Sequence, residues 1–216
     1  MYKTEEIFDL NHTIAKDYFN ENPWEIIPKI SDIILKIGKT LPKEYKEVKE
    51  NIWIHESATV FDTAYIAGPC IIGKRTEIRH CAFIRGNALI GDDVVVGNSV
   101  ELKNVILFDE CQVPHFNYVG DSVLGYKAHM GAGSITSNVK ADRNTVVIHS
   151  ADNDISTGMK KMGALIGDRG EIGCNAVLNP GSVVGKDSNV YPLSCFRGVL
   201  RNGHIYKSSE KIVEKK

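Results

Sequence analysis

From Ile54 to Leu102 an aliphatic residue recurs at every sixth position: Ile54, Val60, Ile66, Ile72, Ile78, Ile84, Ile90, Val96 and Leu102. Four residues after each comes a mostly small one, among them Ala58, Ala64, Cys70, Thr76, Ala82 and Ala88. A period of six fits neither the 3.6 of a helix nor the 2 of an ordinary strand. Repetition at a fixed short period marks a solenoid. The pattern predicts an all-β chain, a parallel β-helix in which three hexads close one triangular coil. The aliphatic residue points into the prism and the small one packs beside it near a corner. Stacked coils then bury a continuous core that no single coil buries alone.

The departures from the period divide the chain. After Leu102 the next inward residue is Leu107, a hexad short by one. Val113 and Val119 follow at six, Leu124 at five and Met130 at six. After Thr136 the pattern is lost until Ile166, and it resumes at Ile172, Leu178, Val184 and Val190. Residues 137–165 are therefore expected to be a loop projecting from the β-helix, with a short strand at Thr145 to Ile148. A loop beyond about 12–15 residues in a compact domain is usually functional or disordered. The β-helix is placed at 51–200 and a C-terminal tail at 201–216. The repeat is lost after Tyr191, which suits a capping hairpin, with a helix or frayed end from Ser208 to Lys216.

Residues 1–50 follow a different rule. Ile26, Ile27, Ile30, Ile33, Ile34 and Ile37 recur at the three- and four-residue spacings of a helix face. Asn22-Pro23 reads as its start, and Gly38 and Pro42 as its stop. A second, charged helix is expected over Lys43 to Lys49. Together they read as a helical cap on the open N-terminal end of the solenoid, an edge that would otherwise be sticky. Substrate binding and partner docking are the other readings.

Composition narrows the function. A chain of 216 residues, 43% hydrophobic, supports one core and a small appendage. A net charge of −1 gives no ground for expecting nucleic acid or a membrane surface as partner. The five cysteines form no CxxC pair, and MYKTEEIFDL lacks a basic-then-apolar leader pattern. No apolar run approaches a membrane span. A cytoplasmic protein with free thiols is expected.

The repeat also supplies coordinates for candidate chemistry. Residues 18 apart lie one above the other, about 4.8 Å apart. Arg85 and Lys103 are 18 apart, and each directly follows an inward aliphatic residue. Stacked cations repel, so an anion such as a phosphate between them would compensate. A carboxylate such as Glu101, or extension of both side chains into water, would do the same. His115 lies in VPHFNYVGD, between the shortened hexads and near Tyr118. A neutral imidazole there suits removal of a proton from an attacking amine, with Asp121 or a backbone carbonyl to orient it. His129, Cys111 and the His80-Cys81 pair match no usual zinc spacing, so no metal is expected.

These blocks carry a family resemblance. The run VELKN…VPHFNYVGDSVLG…MGAGSITSN, Val100 to Asn138, resembles the acetyltransferase half of the bifunctional enzymes that make UDP-N-acetylglucosamine. The run from Ser156 to Gly181 is similar to archaeal-type sugar-1-phosphate nucleotidylyltransferases carrying the same domain. The resemblance implies a left-handed β-helix, a homotrimer with active sites between subunits, and acetyl-CoA as co-substrate. It implies an amino sugar phosphate such as glucosamine 1-phosphate as acceptor. It assigns His115 as general base, Arg85 and Lys103 to the sugar phosphate, and Tyr118 to the acceptor. Ala132 and Asn138 fall to the acetyl-CoA. At the family's acceptor-binding asparagine this chain has His129, and after Asn138 the family's turn is replaced by Val139-Lys140-Ala141. No glycine-rich nucleotide loop is found, so nucleotidyltransfer is not expected of this chain. The alternative reading is a non-catalytic subunit that binds a sugar phosphate or sugar nucleotide, or scaffolds a separate nucleotidyltransferase.

Overall fold

The computed structural model describes residues 2–151 and 153–215. The hexads form a parallel β-helix of three faces. Strands Ile52–His55, Cys70–Ile72 and Ala88–Ile90 begin the first face, Thr59–Val60 and Glu77–Ile78 the third, and Tyr65–Ile66 and Phe83–Ile84 the second. Regular coils pair 18 residues apart, as in Ile54 with Ile72 and Ile72 with Ile90. Beyond the first coil the regular corners are turned by a residue in the left-handed region, for example Arg75, Asp93, Cys81 and Asn87. One such residue per corner is tolerated where a run would not be.

The two short hexads have a local consequence. Losing one residue at the corner between the second and first faces leaves too little chain for a break. Glu101–Leu107 and Tyr118–Leu124 therefore run as seven-residue strands across that corner and pair with each other on both sides of Asn104 and Asp121.

Past Thr136 the register survives a large insertion. Val123 pairs with Leu165, Met130 with Ile172 and Thr136 with Leu178, so the coil closes as though the insert were absent. The first-face strand resumes at Ala164, earlier than the periodicity indicated. The insert contains an antiparallel hairpin, Val147–His149 with Asp154–Ser156, one to two residues later than the expected strand. It folds back along the corner, burying Val146 and Ile148 completely. Gly181 and Gly198, both at positive φ, let the hairpin backbone approach: a Cβ there would meet the Val147 and His149 carbonyls at 2.8 and 2.9 Å.

The N-terminal segment departs from the expectation of an end cap. It is a strap along the first face, running from the last coils back to the first. Tyr2 Oη accepts a hydrogen bond from the Asn202 N–H, the Ile7 carbonyl accepts one from Asp168, and the His12 carbonyl one from Asp109. Gly38 then lies against Trp53. The strap is needed because the outward residues of this face are apolar too: Ile71, Leu89, Ile106, Val123, Leu165 and Val183 are fully buried. The end is covered on its first-face edge by Tyr45–Lys49, yet the inward Ile54, Val60 and Ile66 are only half-buried while Ile72, Ile78 and Ile84 are fully buried.

Two helix expectations are corrected. The segment from Pro23 to Lys29 is a 3-10 helix and the α-helix starts at Ile30, because Pro28 lacks the N–H that a continuous α-helix uses. The charged helix expected over Lys43 to Lys49 is a strand, Tyr45–Lys49, antiparallel to Ile52–His55. The free edge of the first coil supplies backbone partners that outweigh helix propensity. At the other end the repeat continues through Cys195–Phe196 and Val199–Leu200. It closes in the hairpin His204–Ser208 with Lys211–Glu214, so 208–215 is neither helical nor frayed, while Lys216 lies outside the described residues.

Candidate active site

The corner between the second and first faces gathers four of the residues singled out in the sequence. Arg85, Lys103, Tyr118 and Asn138 lie on successive coils there, between the strap on one side and the insert on the other. The stacked cations are not bare. Arg85 Nη1 donates to Glu101 Oε1 at 2.7 Å, and Lys103 Nζ donates to both oxygens of Asp121 at 2.9 and 3.0 Å. Carboxylates thus supply the compensation that cation stacking demands, and no bound anion is required for the fold.

Asp121 is the hub of this corner. Its side chain is 5% exposed. Besides Lys103, it accepts from Asn104 Nδ2 at 2.8 Å and from Asn138 Nδ2. Four contacts fill the acceptor capacity of a carboxylate. Asn138 Nδ2 also donates to Tyr118 Oη at 3.1 Å. Burial, then the nearby Asp121 charge, push the Tyr118 phenol above its ordinary range, so Tyr118 stays protonated at neutral pH. Lys103 spends its bonds on Asp121 but carries three hydrogens, so one remains for an oxygen outside.

His115 is elsewhere. It ends the strand Gln112–His115 on the third face, at the corner where that face turns into the second. It is exposed, and among the described residues its ring has no hydrogen-bond partner. Asp121 does not orient it, since that carboxylate is fully used on the other corner. Ala132 is on the His115 corner, one coil on, where the Gly133 N–H donates to the His115 carbonyl. His129 sits on the third face and bonds Glu171 through Nδ1 at 2.7 Å. That pairing joins residues 42 apart across the insert, and no local signal announces it. The structure therefore brings together the cations, Tyr118 and Asn138, leaves His115 and Ala132 at another corner, and places His129 at the far end of the third face, level with Gln112.

Sequence reasoning missed Asn104 and gave Asp121 a different task. The 18-residue offset from Lys103 to Asp121 was the available signal. Cys111 is fully buried, its thiol raised by burial and its Sγ 2.9 Å from the Gly125 carbonyl, which removes it as a nucleophile. No three metal-ligating side chains converge among the described residues.

The model of the GMPPB C-terminal domain matches residues 66–210. The chain belongs to that family. The bifunctional protein GlmU of Methanococcus maripaludis is 28% identical over 98% of this chain and 53% of its own length. A bifunctional sugar-1-phosphate nucleotidylyltransferase/acetyltransferase of Sulfurisphaera tokodaii is 29% identical over 86% of this chain and 47% of its own. The putative uncharacterized acetyltransferase YaiX of Escherichia coli is 30% identical over 78% of this chain and 80% of its own. The chain thus spans about half the length of the two bifunctional relatives. No helix among the described residues is long and apolar enough to cross a membrane.

Proposed function

We propose that this chain is an acetyl-CoA-dependent N-acyltransferase acting on a small amino sugar phosphate such as glucosamine 1-phosphate. The observation that carries the reading is the Arg85–Lys103 column, in a chain whose relatives bear acetyltransferase names. Each cation is held in place by a carboxylate and keeps donor capacity for a phosphate oxygen. The acceptor nitrogen attacks the thioester carbonyl carbon, the C–S bond breaks, His115 takes the proton from nitrogen, and the thiolate leaves and is protonated. Asn138 and the Ala132 backbone flank the thioester. Holding both reactants in place supplies the rate without a covalent intermediate.

A trimer makes this arrangement whole, since His115 and the cationic corner are apart within one chain. The outward residues of the second face and its neighbouring corner favour burial against other copies: Tyr65, Phe83, Phe116, Ile135 and Leu193 are exposed, Leu193 at 81%. Patches of this kind mark protein contacts.

A second reading, a non-catalytic sugar-phosphate-binding subunit, is favoured by the unpartnered ring of His115. Thiol release from acetyl-CoA in the presence of glucosamine 1-phosphate separates the two. The enzyme reading expects turnover that His115→Ala reduces. Ligand-induced stabilisation without thiol release would support the binding subunit.

A further inference from the structure

We propose that Asn104 is a positioning residue that couples the seat of the N-terminal strap to Lys103, making the strap part of the acceptor site and not only a cover for the first face. For its meaning in turnover this rests on the acyltransferase reading; its geometry does not.

Asn104 turns the corner directly after Lys103, at φ 56. Its side-chain amide nitrogen carries two hydrogens and two acceptors lie within reach. One is Asp121 Oδ1 at 2.8 Å, and the other is the Ile27 carbonyl of the strap at 3.2 Å. Ile27 belongs to the 3-10 helix Pro23–Lys29, whose Pro23, Trp24, Ile26 and Ile27 are buried. On the far side of Asp121 stand Lys103 and Asn138, and Asn138 reaches Tyr118. Strap, cation and phenol are thus joined by a continuous run of hydrogen bonds in a largely buried site, where each bond is stronger than in water.

The same corner contains its own control. Asn87, one coil earlier, turns the chain at φ 51, and among the described residues its side chain makes no hydrogen bond. Asparagine tolerates this backbone region at both positions. Only Asn104 also reaches a strap and a carboxylate. A turn-forming role predicts equal behaviour at the two sites, whereas a positioning role separates them.

The test is the rate at which Lys103 in the folded full-length chain is modified by an amine-reactive acylating reagent, followed by peptide mass spectrometry. Lys127, paired with Glu110 at 3.3 Å, serves as internal reference. Loss of the Asn104 amide leaves Lys103 as the one donor to Asp121 Oδ1 among the described residues, so the carboxylate is no longer fixed from the strap side and Lys103 is held less rigidly. Asn104→Ala is expected to raise Lys103 reactivity about tenfold relative to Lys127, roughly the worth of one hydrogen bond to a charged group. Asn87→Ala leaves the ratio unchanged. Ile27→Ala, which unseats the strap, raises it as well, and adds nothing in the Asn104→Ala background. Should Ile27→Ala not fold, Ile27→Val provides the same comparison. Equal ratios in the Asn104 and Asn87 variants would overturn the proposal, as would strap and Asn104 effects that simply multiply. Turnover reads the other claim separately: in Asn104→Ala the acceptor KM should rise more than the acetyl-CoA KM, since Lys103 shares Oδ1 with Asn104 whereas Asn138 is held by Oδ2. If the labelling result holds and no thiol is released by any variant or the wild type, the coupling stands and the acyltransferase reading falls.

Discussion

Two corners of the same solenoid show what one repeat does with charge. Where the first face turns into the third, the charges stack as opposite-sign pairs on neighbouring coils: Arg75 over Asp93, Glu110 over Lys127, Arg169 over Asp187. Each pair is satisfied locally and stands largely in water. Where the second face turns into the first, Arg85 and Lys103 stack like on like, and compensation comes from Glu101 and the buried Asp121. The first column is a solvated ladder and the second a built site. The backbone differs too: at the second corner two hexads are one residue short and the strands run across it. The strap touches both corners, through Asp9 to Asp168 and His12 to Asp109 at the first and Ile27 to Asn104 at the second, but the insert packs on the second, against Gly181 and Gly198.

The comparison breaks first at its chemistry. His115→Ala in an active enzyme should lower kcat by about 10²–10⁴-fold, the usual cost of a lost general base, read by thiol release. Next comes burial. Asp121→Ala strands Lys103 and two amides, and breaking a buried pair costs about 3–5 kcal/mol. Asp187→Asn on the ladder should cost at most about 1 kcal/mol. Urea unfolding of the two variants measures the contrast, and equal losses would erase the distinction between the corners. A smaller effect tests the cover. Gly181→Ala places a Cβ at φ 81 against the Val147 carbonyl, a strain of about 1–3 kcal/mol. It should expose the insert to limited proteolysis while leaving the coils protected.

The smallest effect is in pH. The Arg169 hydrogen bond holds the Asp187 carboxyl below its ordinary range in the folded protein. A lowered folded pKa adds stability that is fully present above the unfolded value of about 3.9, and that is lost as pH falls through the folded one. The gap between wild type and Asp187→Asn should therefore hold at neutral pH and close in acid.

Much of this was legible in the residues because one period dominates. The inward aliphatics, the two short hexads and the interruption after Thr136 each map onto a coil, a continuous strand and an insert. The stacking of Arg85 on Lys103 followed from the same arithmetic. The misreadings occur where tertiary partners decide. The segment Tyr45–Lys49 reads as helix until the free edge of Ile52–His55 offers it a ladder. The isoleucines at 26 to 37 mark an apolar face without saying that it lies on a flank, and the flank needs it because Ile71 and Leu89 point outward. Asp121 was visible as a carboxylate near His115 in sequence, yet the corner between them sends their side chains to different edges. His129 with Glu171 depends on register kept across an insert, which periodicity alone does not guarantee.

The most direct test is thiol release from acetyl-CoA with glucosamine 1-phosphate against plain glucosamine, in wild type and Arg85→Ala. Among the described residues the Arg85 side chain hydrogen-bonds Glu101 alone and lies over the Phe83 ring, so its loss spares the Asp121 hub. Wild type should prefer the phosphorylated acceptor. Arg85→Ala should lose about 10–100-fold of that preference in kcat/KM, the worth of a charged hydrogen bond, with plain glucosamine unaffected. A preference that survives unchanged in Arg85→Ala, or a wild type indifferent to the phosphate, would contradict a phosphate site at this corner.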